Sequence, residues 1–128
     1  MEPCATIPIL IVDREPAFRT AVASMLREDG HRVIECPAIE ELLPGLDRLG
    51  HIAVVLAAHE MPAQNGLWLA DRIHTANPSA RTLLLVSYRP LSIDDEVASR
   101  PFVRLVEKPM TYDALHRLIH ETGDTPDD

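Results

Sequence analysis

A chain of 128 residues, 46% of them apolar, has the length and core-forming content of a single globular domain. Its formal net charge of −8 argues against a nucleic-acid surface, which needs clustered Lys and Arg. No apolar run approaches the roughly 20 residues of a membrane span, and residues 1–6 lack both the basic and the long apolar parts of a secretion signal, so a cytoplasmic protein without membrane contact is expected.

Ile7-Pro8-Ile9-Leu10-Ile11-Val12 is a branched apolar run ending at Asp13, the pattern of a strand buried on both faces, with Pro8 near its start where a ladder bond can be spared. Pro16 suits the first position of a helix that carries Phe18, Ala21, Val22, Met25 and Leu26 on one face and ends at Gly30. Arg32 to Cys36 predicts a short second strand. Ile39, Leu42, Leu43, Leu46 and Leu49 form a helical stripe, but Pro44 inside it removes a donor and crowds the preceding turn, so the second helix should kink or break there.

The third strand is expected over Ile52 to Ala57. The third helix is expected over Gly66 to Ala76, with Leu69, Ala70 and Ile73 inward, Trp68 on its outer edge and Asn77-Pro78 as its stop. Gly66 suits the helix start because it can take dihedrals closed to other residues. Thr82 to Val86 predicts the fourth strand, followed by Ser87. Ser92 is expected to cap a short fourth helix with Asp94, Asp95 and Glu96 in its first turn. The fifth strand is Phe102 to Val106. Thr111 caps a fifth helix with Tyr112, Leu115, Leu118 and Ile119 inward, and residues 122–128 form a polar, frayed tail. Strands alternating with helices imply an α/β domain, a doubly wound parallel sheet with helices on both faces, with its core over about residues 7–121 of a single 1–128 domain.

Ligands of such sheets bind at the carboxyl ends of the strands. The stretch from Val54 to Gly66 places a loop, Ala58 to Gly66, at one such end, stopped by Met61-Pro62 and turned by Asn65-Gly66. Of the 12 basic residues all but Lys108 are arginine, and Lys108 is followed by Pro109, which suggests that a compact ammonium is wanted at that point.

These pieces, in this order, resemble the receiver domain of response regulators over nearly the whole chain, from Ile9 to about Glu121. Ile9 to Asp13 looks like the family's acidic-site strand, Met61-Pro62 and Gly66 like its central loop, Ser87 like its switch hydroxyl and Lys108-Pro109 like its lysine-proline motif. The resemblance implies a flavodoxin-like five-stranded parallel sheet of order 2-1-3-4-5. It also implies two-component (phosphorelay) signal transduction, with no enzymatic activity expected.

The resemblance puts Ala58 at the phosphoacceptor position, where no oxygen is present to phosphorylate. Arg14 replaces one of the acidic pair, Leu105 stands at the aromatic switch position, and Asp13 and Glu60 remain of the acidic site. The expectation is a pseudo-receiver with no catalytic residue, no cofactor and weak or absent Mg²⁺ binding. It would act on a protein partner through the face of helix 4, strand 5 and helix 5, or as a homodimer. Two alternatives stay open: a regulatory domain binding a small ligand in the vacated pocket, and an active receiver using another acceptor such as Asp13. A flavin module of the same topology would need a phosphate-cradling loop, which Asp13-Arg14-Glu15-Pro16 is not.

The remaining residues have plainer readings. Asp13 with Lys108 reads as an ion pair at the sheet edge, and Ser87 as a hydroxyl serving a strand-end backbone group. His59 and Glu60 are adjacent in a loop and read as solvated. His116 and His120 stand four apart on the fifth helix, a spacing able to bind zinc, but with no third ligand in view they and His31, His51 and His74 are expected to form no ligand cluster. Cys4 and Cys36 lie near opposite ends of neighbouring strands and are not expected to pair, Cys36 being a buried thiol.

Overall fold

The computed structural model describes residues 6–48, 50–61 and 64–123. Five parallel strands form one sheet: β1 (Pro8–Val12), β2 (Arg32–Cys36), β3 (Val54–Ala58), β4 (Arg81–Val86) and β5 (Val103–Glu107), in the order β2-β1-β3-β4-β5. Between and after them run α1 (Pro16–Glu28), α2 (Ile39–Leu42), α3 (Gly66–Ala76), α4 (Ile93–Ala98) and α5 (Tyr112–Gly123). This is the doubly wound α/β sheet that the alternation of elements implies.

The inner strands β1 and β3 are apolar without a break because both faces are covered. Ile9 and Ile11 of β1 point into one layer with Val22, Ala23 and Leu26 of α1 and Leu115 and Ile119 of α5. Leu10 and Val12 point into the other, with Ile39, Leu42, Leu69 and Ile73 of α2 and α3. That second layer continues under α4 through Leu67, Ala70, Leu84, Ile93 and Val103.

Pro44 has the expected effect. The α2 helix stops at Leu42 and the chain continues as a 3₁₀ segment, Leu43–Arg48, with Ile39, Leu42 and Leu46 buried. Leu49, Cys4 and Pro62 lie outside the described residues. Strand ends differ from expectation by a residue or two: Ile52 is buried but precedes β3, where its carbonyl accepts from Asn77 Nδ2 at 3.1 Å. In α1 the inward small residue is Ala23, whereas Ala21 is exposed. Trp68 is partly buried against the Leu10 layer, since the first turn of α3 packs over β3; it does not stand on the outer edge. Thr122 lies within α5, not in a frayed tail.

The caps divide. Thr111 Oγ1 accepts from Ala114 N at 3.1 Å, as expected. Ser92 sits at the N-cap of α4 with φ 72° and its side chain makes no capping bond. Asn65 caps α3 instead, its Oδ1 accepting from Trp68 N at 2.9 Å. Gly66 does not take a left-handed conformation. Its lack of a side chain matters for space: a Cβ there would collide with the carbonyl oxygen of Ala58 and come within 2.7 Å of Leu84 Cδ1. The start of α3 is thereby pressed directly on the end of β3.

Candidate functional site

The ladder bonds continue one residue past several strands and so align their carboxyl ends. Asp13 N donates to Cys36 O at 3.1 Å, His59 N to Leu85 O at 2.8 Å and Lys108 N to Val86 O at 2.7 Å. Side chains following β1, β3, β4 and β5 therefore converge on one pocket of about 140 Å³, lined by Asp13, Arg14, Glu15, Ala58, Glu60, Leu85, Ser87 and Lys108. It continues toward an open cleft of about 420 Å³ beside Met61, Tyr88 and Pro90.

Lys108 dominates this site. Its Nζ lies 2.9 Å from Asp13 Oδ2 and 2.9 Å from Glu15 Oε1, and 4.2 Å from the centre of the Phe18 ring. Asp13 is 1% exposed. Its other oxygen accepts the Glu15 amide at 2.9 Å, so both carboxylate oxygens are engaged. Burial pushes the Lys108 ammonium toward the neutral form, but the hydrogen bonds and charges of Glu15 and Asp13 outweigh it, and the pKa lies above 10.5. The same ammonium lowers the Glu15 carboxyl. The expected ion pair is therefore present, with a third member that sequence reasoning missed; the signal was a carboxylate two residues beyond Asp13 on the same loop.

The other expected site residues are distributed as follows. Ala58 is the last residue of β3, 6% exposed, with its methyl facing the pocket. Ser87 is exposed on the wall. Among the described residues its hydroxyl makes no hydrogen bond, so it does not serve a strand-end backbone group as expected. Glu60 is exposed on the rim, where it raises the pKa of the Tyr88 hydroxyl, first by a hydrogen bond and then by its charge. Arg14 lines the pocket but is exposed and, among the described residues, makes no ion pair; Lys108 occupies the carboxylates it would have taken.

Leu105 does not reach the pocket. It packs half-buried beside Ile93 and Val103. Pro109 is exposed and follows a cis peptide bond from Lys108. Cys36 is a free, buried thiol, raised in pKa by burial, with Sγ donating to Ala38 O at 3.0 Å.

Magnesium takes hard oxygen ligands in near-octahedral array. This pocket supplies a poor set: Ala58 has no side-chain oxygen, Asp13 is already bonded through both of its own, and the Lys108 ammonium lies between the carboxylates of Asp13 and Glu15. The residues do not fit the ion.

The family profile described as the response regulator receiver domain matches residues 9–120. Among solved structures, the chain is similar to a CheY-like receiver domain protein from Methanospirillum hungatei, at 21% identity and a TM-score of 0.84, over 94% of this chain and 95% of that one. It is also similar to the response regulator TrrA of Thermotoga maritima, solved with Mg²⁺ and BeF, at 26% identity and a TM-score of 0.77, over 91% and 99% of the two chains. A third likeness is to the NtrC4 receiver domain, solved as a beryllofluoride-activated dimer, at 17% identity and a TM-score of 0.81, over 91% and 96%. No curated protein matches the chain.

Proposed function

The chain belongs to the response regulator receiver domain family of two-component signalling, and from that premise we propose that it signals through protein contacts without being phosphorylated. The observation that carries this reading is the methyl of Ala58 at the end of β3, among Asp13, Ser87 and Lys108. A phosphoacceptor must offer a nucleophilic oxygen, and alanine has none. Asp13 is a poor substitute, because it is buried and both of its oxygens are engaged. With Lys108 held by two carboxylates, the ammonium is paired from within and the site needs neither metal nor phosphate to stay in one state.

The proposed contact surface is the face of α4, β5 and α5. At its edge, in the connection before α4, Leu91 is 96% exposed and Tyr88 61% exposed. Two large side chains left in water close together support a contact at this edge. The partner is a signalling protein or a second copy of this chain. A small ligand in the vacated pocket is the weaker reading, since the enclosed part is about 140 Å³, below the roughly 300 Å³ at which ligand sites begin, and the cleft of about 420 Å³ beside it is open to solvent.

The test is intact mass spectrometry after incubation with a small acyl-phosphate donor and Mg²⁺. The unmodified mass is expected. A stable phosphoryl adduct, lost on Asp13→Asn, would sink the proposal in favour of Asp13 as acceptor.

A further inference from the structure

The histidines are not scattered as expected: three of them come together in space. His31, in the turn between α1 and β2, meets His116 and His120 of α5 at the amino-terminal edge of the sheet, the end away from the Asp13–Lys108 pocket. His31 Nε2 is 3.1 Å from His116 Nε2, and His116 Nε2 is 3.1 Å from His120 Nε2. The three ligating atoms all lie within 4.8 Å of one another. Beside the three rings, Asp29 Oδ2 stands 3.6 Å from His116 Nε2. That carboxylate is oriented by the Tyr112 hydroxyl, which donates to it at 2.6 Å. The spacing of four on α5 was visible in the sequence; the third ring is 85 residues away from His116 and comes from a different element.

We propose that His31, His116 and His120 form a binding site for a zinc-like divalent transition metal. Imidazole nitrogens select such ions over Mg²⁺ or Ca²⁺, which prefer oxygen. Tetrahedral Zn²⁺ with bonds of about 2.0–2.1 Å to nitrogen requires donor atoms about 3.3 Å apart. The two separations of 3.1 Å from His116 lie close to that edge, and the third pair of rings stays within 4.8 Å, so a small movement of the His31 and His120 rings completes the set. His31 is buried and His116 and His120 are partly buried, so little water must be displaced and the rings are held by packing. Bound metal would fasten the carboxyl-terminal half of α5 to the turn ahead of β2.

A hydrogen bond to His31 opposes the ion. Ile7 N donates to His31 Nδ1 at 3.2 Å, so the neutral ring carries its proton on Nε2, the ligating atom. Ligation through Nε2 moves that proton to Nδ1 and breaks the bond from Ile7. The exchange replaces that long hydrogen bond and the contacts between the ring nitrogens with metal–nitrogen bonds. It also provides a signature, because the Ile7 amide must sense the metal although it does not touch it. The competing arrangement is a metal-free relay in which His31 Nε2–H donates to its neighbours.

The experiment titrates ZnCl₂ into the whole chain, freed of any affinity tag, by calorimetry, with MgCl₂ as control. The expected result is one Zn²⁺ per chain, a raised Tm with Zn²⁺ alone, and at least a tenfold loss of Zn²⁺ affinity in His116→Gln and in His120→Gln. In ¹H–¹⁵N spectra the Ile7 amide should shift on Zn²⁺ addition, and Co²⁺ should show the visible bands of tetrahedral coordination. No Zn²⁺ binding, binding unchanged in both variants, or an unmoved Ile7 amide would each overturn the proposal. If a variant fails to fold, the Ile7 shift and the Co²⁺ spectrum of the unaltered chain decide alone.

Discussion

Lys108 is the residue on which the pocket depends. With Asp13 1% exposed, removing the ammonium strands a buried carboxylate. Lys108→Met should cost about 3 kcal/mol by urea denaturation at neutral pH, the low end for breaking a buried pair, since Lys108 itself is partly open. The pH dependence follows from the raised pKa. A raised lysine contributes stability that is complete below its unfolded value, near 10.5, and is lost as pH climbs through the higher folded value. The gap between wild type and Lys108→Met should therefore be flat at neutral pH and narrow above 10.5; a gap that widened there would contradict the pairing.

Arg14 permits a second test at the same scale. It lines the pocket as an uncommitted cation beside Ala58. Restoring an acceptor with Ala58→Asp should leave Mg²⁺ affinity weak, both because that cation repels the metal and because Lys108 holds Asp13. Ala58→Asp combined with Arg14→Asp should bind Mg²⁺ at least tenfold tighter in calorimetry. Equal affinities would mean that Arg14 does not influence the pocket.

At the scale of elements, the junction of β3 and α3 is a close contact. In most helices a glycine-to-alanine change gains up to about 1 kcal/mol of propensity. At Gly66 the added Cβ meets the Ala58 carbonyl and Leu84, neither of which can move without shifting β3 or the core. Gly66→Ala should therefore destabilise by about 1–3 kcal/mol, the usual cost of overpacking. A neutral or stabilising result in chemical denaturation would refute the close approach. The reason for this glycine could not be read locally: its dihedrals are helical, and only the position of Ala58 O makes a side chain intolerable. Pro44 is the opposite case. Its effect on α2 is a property of its own ring and the preceding turn, and the break into a 3₁₀ segment was legible before any fold was known.

For the molecule as a whole, the proposal places function on a surface. Leu91 is 96% exposed and contributes no packing. Leu91→Glu should change stability by less than about 0.5 kcal/mol, while reducing retention of the proteins, or the second copy, that the unaltered domain retains on a column. The change Arg32→Glu, exposed on the far edge strand β2, should leave retention intact. If both changes act alike, the loss reflects charge in general and not the face before α4.

The sequence by itself determined the order of strands and helices, the parallel sheet, the break at Pro44, the cap at Thr111 and the candidate ring of Asp13, Ala58, Ser87 and Lys108. These rest on patterns within a few residues, on alternation, or on motifs in a recognisable order. Only the tertiary structure decided which groups meet across it. Asp13 and Lys108 are 95 residues apart, and they and Glu15 meet because the ends of β1 and β5 lie at the same edge of the sheet, where the Lys108 side chain reaches both carboxylates. Arg14 was left outside because one ammonium already satisfied the carboxylates. His31, His116 and His120 read separately as scattered histidines. They became a cluster only when the packing of α5 beside α1 brought rings from distant parts of the chain to hydrogen-bond distance, because side-chain separation in space is set by how elements pack and not by the periodicity of any one of them.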